Sequence, residues 1–369
     1  MDTAELAQWI SLHRATWGAP VLFNALLDRF GSVAGVYDAK RSAIVAALAG
    51  RDEIAAAIAA GADATTELEW LDDPISHVIT RTDDRYPPLL REIADPPPLL
   101  YLRGDPALLS QPQLAIVGSR NPTPGGCDNA RAFAQALGEA GLIIVSGMAA
   151  GIDACAHSAA LDAGVPTLAV LGTGINRVYP AAHHALAHAI ATRGALVSDL
   201  PFGAGPRKEH FPRRNRLIAG LSLGVLVVEA AKQSGSLITA RLAGEYGREV
   251  FAIPGSIHSP LARGCHTLIR TGAKLVESAA DVLEELRPLH TAARTALAGT
   301  RASNAAELPD HLEKFLCHVG HDPVGFDTLV ERSALTAAEV SSMLTGLELR
   351  GRVASLPGGR YQQRTASRD

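Results

Sequence analysis

No apolar run in the 369-residue chain reaches the roughly 20 residues that a membrane-spanning helix needs, and the N-terminus (Met1, Asp2, Thr3, Glu5) lacks a secretory signal's basic region. The expected location is the cytoplasm, with no membrane partner. Cysteine is scarce: Cys127, Cys155, Cys265 and Cys317 stand far apart with no C-x-x-C pair. A zinc site or a disulfide framework is therefore not expected, and free thiols in a reducing compartment are. Positive charge is not in excess either. The net charge is −4, so a nucleic-acid partner would require cations concentrated in one place.

Signatures of catalysis are missing as well. The chain has no G-x-x-x-x-G-K-[ST] loop, no G-x-S-x-G elbow and no H-E-x-x-H helix. His184 and His188 have the i,i+4 spacing of helical metal ligands but lack the adjacent glutamate, and Asp153 with His157 reads as a helix face beside a sheet. Gly172-x-Gly174 begins like a dinucleotide fingerprint. Arg177 then stands where the third glycine belongs, and Val178-Tyr179-Pro180 replaces the start of a helix. No catalytic residue, metal site or cofactor is expected.

What the chain does contain is a globular composition, 47% hydrophobic and 20% charged, over a length that suits two or three domains. Residues 1–70 read as a helical, SAM-like module, with Leu6, Trp9, Ile10 and Leu12, then Leu22, Leu26, Leu27 and Phe30, near helical spacing. Proline-rich residues 71–112 read as an extended lead-in. From 113 to 287, short apolar runs alternate with helical patterns: Leu114–Val117, Leu142–Val145, Thr167–Leu171, Val225–Val228 and Val250–Ile253. This is the rhythm of βαβ units, hence an α/β, Rossmann-like parallel sheet with helices on both faces. Residues 288–308 read as a linker. Residues 309–365 follow as three helices, the third opened by a capping box at Thr336 and Glu339, and a hairpin around Pro357-Gly358-Gly359, the pattern of a winged helix.

Ligands of an open parallel sheet bind at the carboxyl ends of its strands, where glycine-rich turns expose backbone N–H groups. Three such turns occur in succession: Gly118-Ser119-Arg120, Ser146-Gly147 through Gly151-Ile152-Asp153, and Gly172-Thr173-Gly174. Any one alone is consistent with a tight turn; three point to an anion-binding crevice. The run from Arg207 to Arg216 carries five cations and Phe211 in ten residues, then enters the apolar segment Leu217–Leu221 that anchors it to the core. A solvated helix start explains most charge runs. Guanidinium forks beside an aromatic face instead suit the backbone and an unstacked base of a single strand. A Ser234-Gly235-Ser236 turn then opens another helix, where either serine serves equally well as a cap.

Taken in order, these segments resemble the DprA/Smf family over roughly residues 75–285. They include Phe211-Pro212-Arg213-Arg214-Asn215-Arg216-Leu217-Ile218-Ala219-Gly220-Leu221-Ser222, Val228-Glu229-Ala230, Ser234-Gly235-Ser236-Leu237-Ile238-Thr239-Ala240, Val250–Gly255 and Gly264-Cys265-His266 through Gly272-Ala273. The resemblance implies a homodimeric protein that binds single-stranded DNA, protects incoming DNA and loads the RecA recombinase during natural transformation. Carried over by position, it implies DNA contacts from Gly118, Ser119, Arg120, Ser146, Gly147, Phe211, Arg213, Arg214, Asn215, Arg216, Ser234 and Lys274. Arg120, Arg213 and Lys274 would meet phosphates, Phe211 would stack on a base, and the dimer surface would lie near Leu268 and Ile269. Asn176 and Ser198-Asp199-Leu200-Pro201 depart from the family's usual Asp and Ser-Glu-x-Pro. The third winged-domain helix has little positive charge before Arg350 and Arg352, which favours a protein partner at least as much as duplex DNA.

The rival from another class is a nucleoside-monophosphate phosphoribohydrolase-like enzyme on a related fold. Its P-G-G-x-G-T loop would have to follow a strand of the sheet, whereas the chain's Pro-Gly-Gly falls in the expected wing. A nicotinamide-dependent oxidoreductase lacks its third glycine and an acidic ribose partner.

Overall fold

The computed structural model describes residues 2–17, 19–61, 63–286, 310–349 and 352–364; the expected linker at 288–308 and Arg350 lie outside the described residues. Nine strands form one sheet: β1 (Ser76–Thr80), β2 (Leu99–Gly104), β3 (Gln113–Val117), β4 (Ile143–Ser146), β5 (Thr167–Val170), β6 (Ala195–Ser198), β7 (Gly224–Val227), β8 (Glu249–Ala252) and β9 (Lys274–Leu275). Their spatial order is β1-β2-β6-β5-β4-β3-β7-β8-β9. From β6 to β9 every pairing is parallel. Strands such as β3 and β4 are buried at every position because helices cover both faces. Chain order reverses between β3 and its neighbours β4 and β7, so a crevice opens at the carboxyl ends of those strands.

Residues 71–112 are not a lead-in outside the sheet. They supply β1 and β2, which pair antiparallel with each other, and β2 pairs antiparallel with β6. Their apolar runs, Leu99–Leu102 among them, are buried as edge extensions of the main core. The prolines sit between the strands, where no ladder hydrogen bond is lost.

Six short helices precede the sheet and share a core with one of its faces. Trp9, Phe23 and Leu26 of this module cluster with Leu99, Tyr101 and Leu171. The buried His13 Nε2 lies 3.1 Å from the Asp199 carbonyl and donates to it, tying the first helix (Thr3–Ala15) to the end of β6. The C-terminal unit holds helices Asp310–Val319, Phe326–Ser333 and Ala337–Leu349, with strands β10 (Val324–Gly325), β11 (Val353–Leu356) and β12 (Arg360–Gln363). The β11–β12 hairpin turns through Gly358 and Gly359 at φ 83° and 65°, which glycine adopts without strain. The Thr336–Glu339 capping box is formed, at 2.8 Å from Thr336 N to the glutamate and 3.3 Å in return. Arg364 grips the buried Asp128 with two hydrogen bonds of 2.8 and 2.7 Å, fastening this winged unit to the sheet domain.

The expectation of four free thiols is corrected. Cys127 and Cys155 form a disulfide, while Cys265 and Cys317 are free. Each bonded cysteine lies in the first half of a helix (Pro124–Glu139 and Ile152–Asp162), and the two helices pack side by side with these residues' Cα atoms 5.7 Å apart. Distance along the chain carried no information about that approach.

His157 is also fully buried. Thr167 donates its hydroxyl to the Ile144 carbonyl, so at 2.8 Å it accepts from His157 Nδ1, which fixes Nδ1 as a protonated nitrogen. Burial lowers the pKa of His13 to about 4 and of His157 to about 3. Both folded-state values lie below the unfolded one, so the unfolded chain alone takes up protons as pH falls through about 6.5. Stability is expected to be flat above pH ~7 and to drop by a few kcal/mol between about pH 6.5 and 4. Thermal melting across that window checks this, and His157→Gln should make the drop shallower; an acid-insensitive melting temperature would contradict it.

Candidate nucleic-acid interface

A cavity of about 570 Å³ lies where the loops after β3, β4, β5 and β7 meet the helix His210–Leu221. Arg120 after β3, Asp153 after β4, Tyr179 after β5, Lys208 and Phe211 ahead of β7 and Ser234 after it all line this space. Phe211 forms its centre. The Arg120 guanidinium stands 5.5 Å from the ring centroid, and the Tyr179 ring lies 5.7 Å away at a tilt of 47°. Gly172 lies against the ring: a Cβ there would come within 2.8 Å of it. Tyr179 is 46% exposed and Phe211 partly so, which leaves aromatic surface open to solvent beside a cation.

Beneath the ring, Arg214 is 5% exposed and donates to the carbonyls of Gly147 and Val170. Gly147 is required for this, because a Cβ would lie 2.5 Å from the guanidinium carbon. Asp153 caps the same loop, accepting from the amides of Gly147 at 3.0 Å and Ala149 at 3.3 Å. Burial lowers the Arg214 pKa to about 10, opposed by the Asp153 charge, so the guanidinium is still cationic at neutral pH. Burial raises the Asp153 pKa while Arg214 pulls it down. The cavity floor thus carries a guanidinium held in place by two backbone carbonyls, with the Asp153 carboxyl beside it.

The other expected residues sort by their partners. Gly118 lines the cavity and packs on Ile152, leaving no room for a Cβ. Ser119 Oγ accepts from Asn121 N at 3.1 Å, and the buried Ser146 hydroxyl donates to the Ile116 carbonyl at 2.6 Å; both brace their loops. Asn215 and Ser234 line the cavity, and Asn215 Nδ2 donates to the Gly235 carbonyl at 3.2 Å.

Arg213 and Arg216 are not in the lining. With about 3.6 residues per turn, positions 211, 214, 215 and 218 share one face of the helix, and 213 and 216 fall on the other. There Asp199, 1% exposed, accepts from Arg213 at 3.2 Å and from Arg216 at 2.6 Å, and Asp95 lies 3.4 Å from Arg216. Arg213 also reaches the Trp17 carbonyl at 3.4 Å, so this face clamps the N-terminal module to the sheet domain. Lys274 lies on β9 at the sheet edge, 2.5 Å from Glu285 and apart from the cavity. Leu268 and Ile269 are half-buried, packed against the core beneath the helix Arg263–Arg270. Reading the motifs missed Tyr179, Lys208 and Asp153 as lining residues. A 3.6-residue period applied to 210–221 separates Arg214 from Arg213 and Arg216 from sequence alone.

A family model described as DNA recombination-mediator protein A matches residues 77–287, and one described as DprA winged helix domain matches 299–359. The chain belongs to the DprA/Smf family. It is 41% identical to Protein Smf of Escherichia coli, covering 82% of this chain and 81% of that one, and 51% identical to the DNA processing protein DprA of Streptococcus pneumoniae over 55% and 72%. The X-ray structure of Streptococcus pneumoniae DprA superposes with a TM-score of 0.67 at 39% identity, covering 74% of this chain and 95% of that one. DNA processing protein A from Helicobacter pylori, solved for its single-stranded-DNA binding mode, superposes at a TM-score of 0.53 and 30% identity over 58% and 96%. Among the described residues no helix is long and apolar enough to cross a membrane.

Membership in this DprA/Smf family leaves the roles of individual residues to be tested. Removing the Asp199 charge strands a buried guanidinium, so Asp199→Ala should destabilise the fold by about 3–5 kcal/mol. Arg120→Ala, at an exposed position, should cost under about 1 kcal/mol. Urea unfolding of the two variants measures both, and equal losses would contradict the sorting of the helix faces.

Proposed function

We propose that this chain binds single-stranded DNA in the Phe211 cavity, holding one unstacked base against the aromatic surface and its phosphates near Arg120, Lys208 and Arg214. The observation that carries this reading is the stack of Arg120, Phe211 and Tyr179 at the carboxyl ends of a parallel sheet, above the buried charge of Arg214. A ring face is of use to a base only when that base is unstacked, and cations meet the backbone whatever the sequence. The single-strand binding of the Helicobacter pylori relative supports the same ligand class. In this reading Gly118, Ser119, Ser146 and Gly147 shape the cradle rather than contact phosphate through their side chains, Asn215 and Ser234 border it, and Arg213, Arg216 and Lys274 act elsewhere.

The protein acts, in this proposal, in the cytoplasm as a homodimer through the Leu268–Ile269 helix, protecting incoming strands and passing them to the RecA recombinase. It works as a binder and not as an enzyme. The phosphoribohydrolase reading is weaker because Pro357–Gly359 turns the β11–β12 hairpin and follows no strand of the large sheet. Incubation with nucleoside monophosphates tests it; release of free base would revive the enzyme.

Phe211→Ala should weaken single-strand binding by about 1–3 kcal/mol. Arg120→Ala should weaken it uniformly across sequences and reduce the salt slope by about 0.7. Arg213→Ala should leave the slope unchanged and lower stability instead. Gel shifts with single- and double-stranded oligonucleotides across salt concentrations read all three. A slope that responds to Arg213 and not to Arg120 would refute the cavity.

A further inference from the structure

The first turns of the helix Pro124–Glu139 are the seat of the winged unit. Gln362 lies against Gly125, where a Cβ would come within 2.9 Å of its amide nitrogen, and Arg364 grips Asp128 at 2.8 and 2.7 Å. The seat is not filled. A hollow of about 320 Å³ lies between the two units, with Thr123, Glu229, Pro254, Asp322 and Gln362 in its lining. The buried Gln362 Oε1 has no hydrogen-bond partner there among the described residues. Relative motion is the rule for domains that meet over a small polar seam.

The Cys127–Cys155 bond lies in the same stretch, one residue from Asp128. Further along the helix, Ala130, Phe133, Ala134 and Leu137 share an apolar cluster with Ala156 and Ala159 of the helix Ile152–Asp162, so the two helices stay packed with or without the bond. Ahead of Ala130 the helix is tied to the sheet domain by the bond and by Glu229, which accepts from the Thr123 amide at 2.9 Å and its hydroxyl at 2.6 Å. Disulfides are indispensable in small domains that cannot build a core, whereas both faces of this nine-stranded sheet are buried already. The bond is therefore free to serve something other than folding. Cys155 is buried and Cys127 is partly exposed, which leaves one sulfur open to attack. Each is the fourth residue of its helix, where the amide end of the helix favours a thiolate.

We propose that Cys127–Cys155 is a thiol–disulfide exchange site for a dithiol reductant, and that opening it releases the winged unit from the sheet domain. The reductant's thiolate attacks Cys127 Sγ, and the electron pair of the broken S–S bond leaves on Cys155 Sγ, which takes up a proton. The reductant's second thiol gives its proton to solvent and attacks the reductant's own sulfur in the mixed disulfide. Cys127 Sγ leaves with that electron pair and is protonated in turn. The dithiol ends as a disulfide and the two cysteines as thiols. With the bond open, the first turns of the helix lose their tie to Ile152–Asp162, and Asp128 its fixed position beneath Arg364. Nothing in this step requires a strand at Phe211.

Small-angle X-ray scattering of the full chain, oxidised and then treated with dithiothreitol, reads release as a rise in the radius of gyration. Thiol titration in urea follows the bond, with two free thiols expected before reduction and four after it. Sedimentation alongside separates release from a change in self-association. The radius should rise on reduction and fall again on reoxidation by oxidised glutathione. Cys127→Ser should match the reduced chain and ignore dithiothreitol. Arg364→Ala should be expanded in both states, because its clamp is already cut. Four thiols in the oxidised chain, an unchanged radius once the titration shows the bond open, an expansion that follows a change in mass, or a Cys127→Ser chain that still responds would each overturn the proposal. The reduced chain carries no substitution, so the comparison of its two states decides the matter even where Cys127→Ser folds poorly.

Discussion

Arg214 is buried against two backbone carbonyls of the sheet's carboxyl edge, and Arg216, half a turn away, is buried against Asp199 on the opposite side. A guanidinium out of water is costly unless its donors are satisfied, so neither residue tolerates a rotation of the helix that carries both. This pair of constraints fixes the azimuth of His210–Leu221. Phe211 and Asn215 must then face the cavity, and Arg213 must face the N-terminal module. Gly147 and Gly172 are the complementary requirement, since a side chain at either position would displace the guanidinium or the ring.

The same arrangement explains how an acidic chain can present a basic cleft. Its cations are sorted by burial rather than by number. Arg216 and Arg213 spend their charge on Asp199 and hold domains together, and Arg364 does the same with Asp128. Arg120, Lys208 and Arg214 remain for a ligand, and only Arg214 is held rigidly before one arrives. A floor charge of this kind is preorganised, whereas Arg120 and Lys208 lie at the rim and are free to adjust to a flexible strand.

The alternation of apolar runs and helical patterns made the parallel core legible, and the glycine turns marked the strand ends at which the cavity lies. Short β1 and β2 were not legible, because their proline-rich surroundings mask strands that are buried only once β6 is in place. The Cys127–Cys155 bond was hidden for a related reason: it depends on the packing of two helices, to which spacing along the chain is blind. Within the site, composition drew attention to the 207–216 run, of which Lys208, Phe211, Arg214 and Asn215 line the cavity, but treated its five cations as equivalent. Periodicity alone divides them, since 213 and 216 cannot share a face with 211 and 214.

The most direct measurement is photocrosslinking of a 5-iododeoxyuridine-substituted single strand to the full chain, followed by mass-spectrometric mapping of the adducts. The account predicts adducts on the aromatic side chains of the cavity, Phe211 and Tyr179. Adducts confined to the winged unit, or to the Arg213 face beside Trp17, would contradict it.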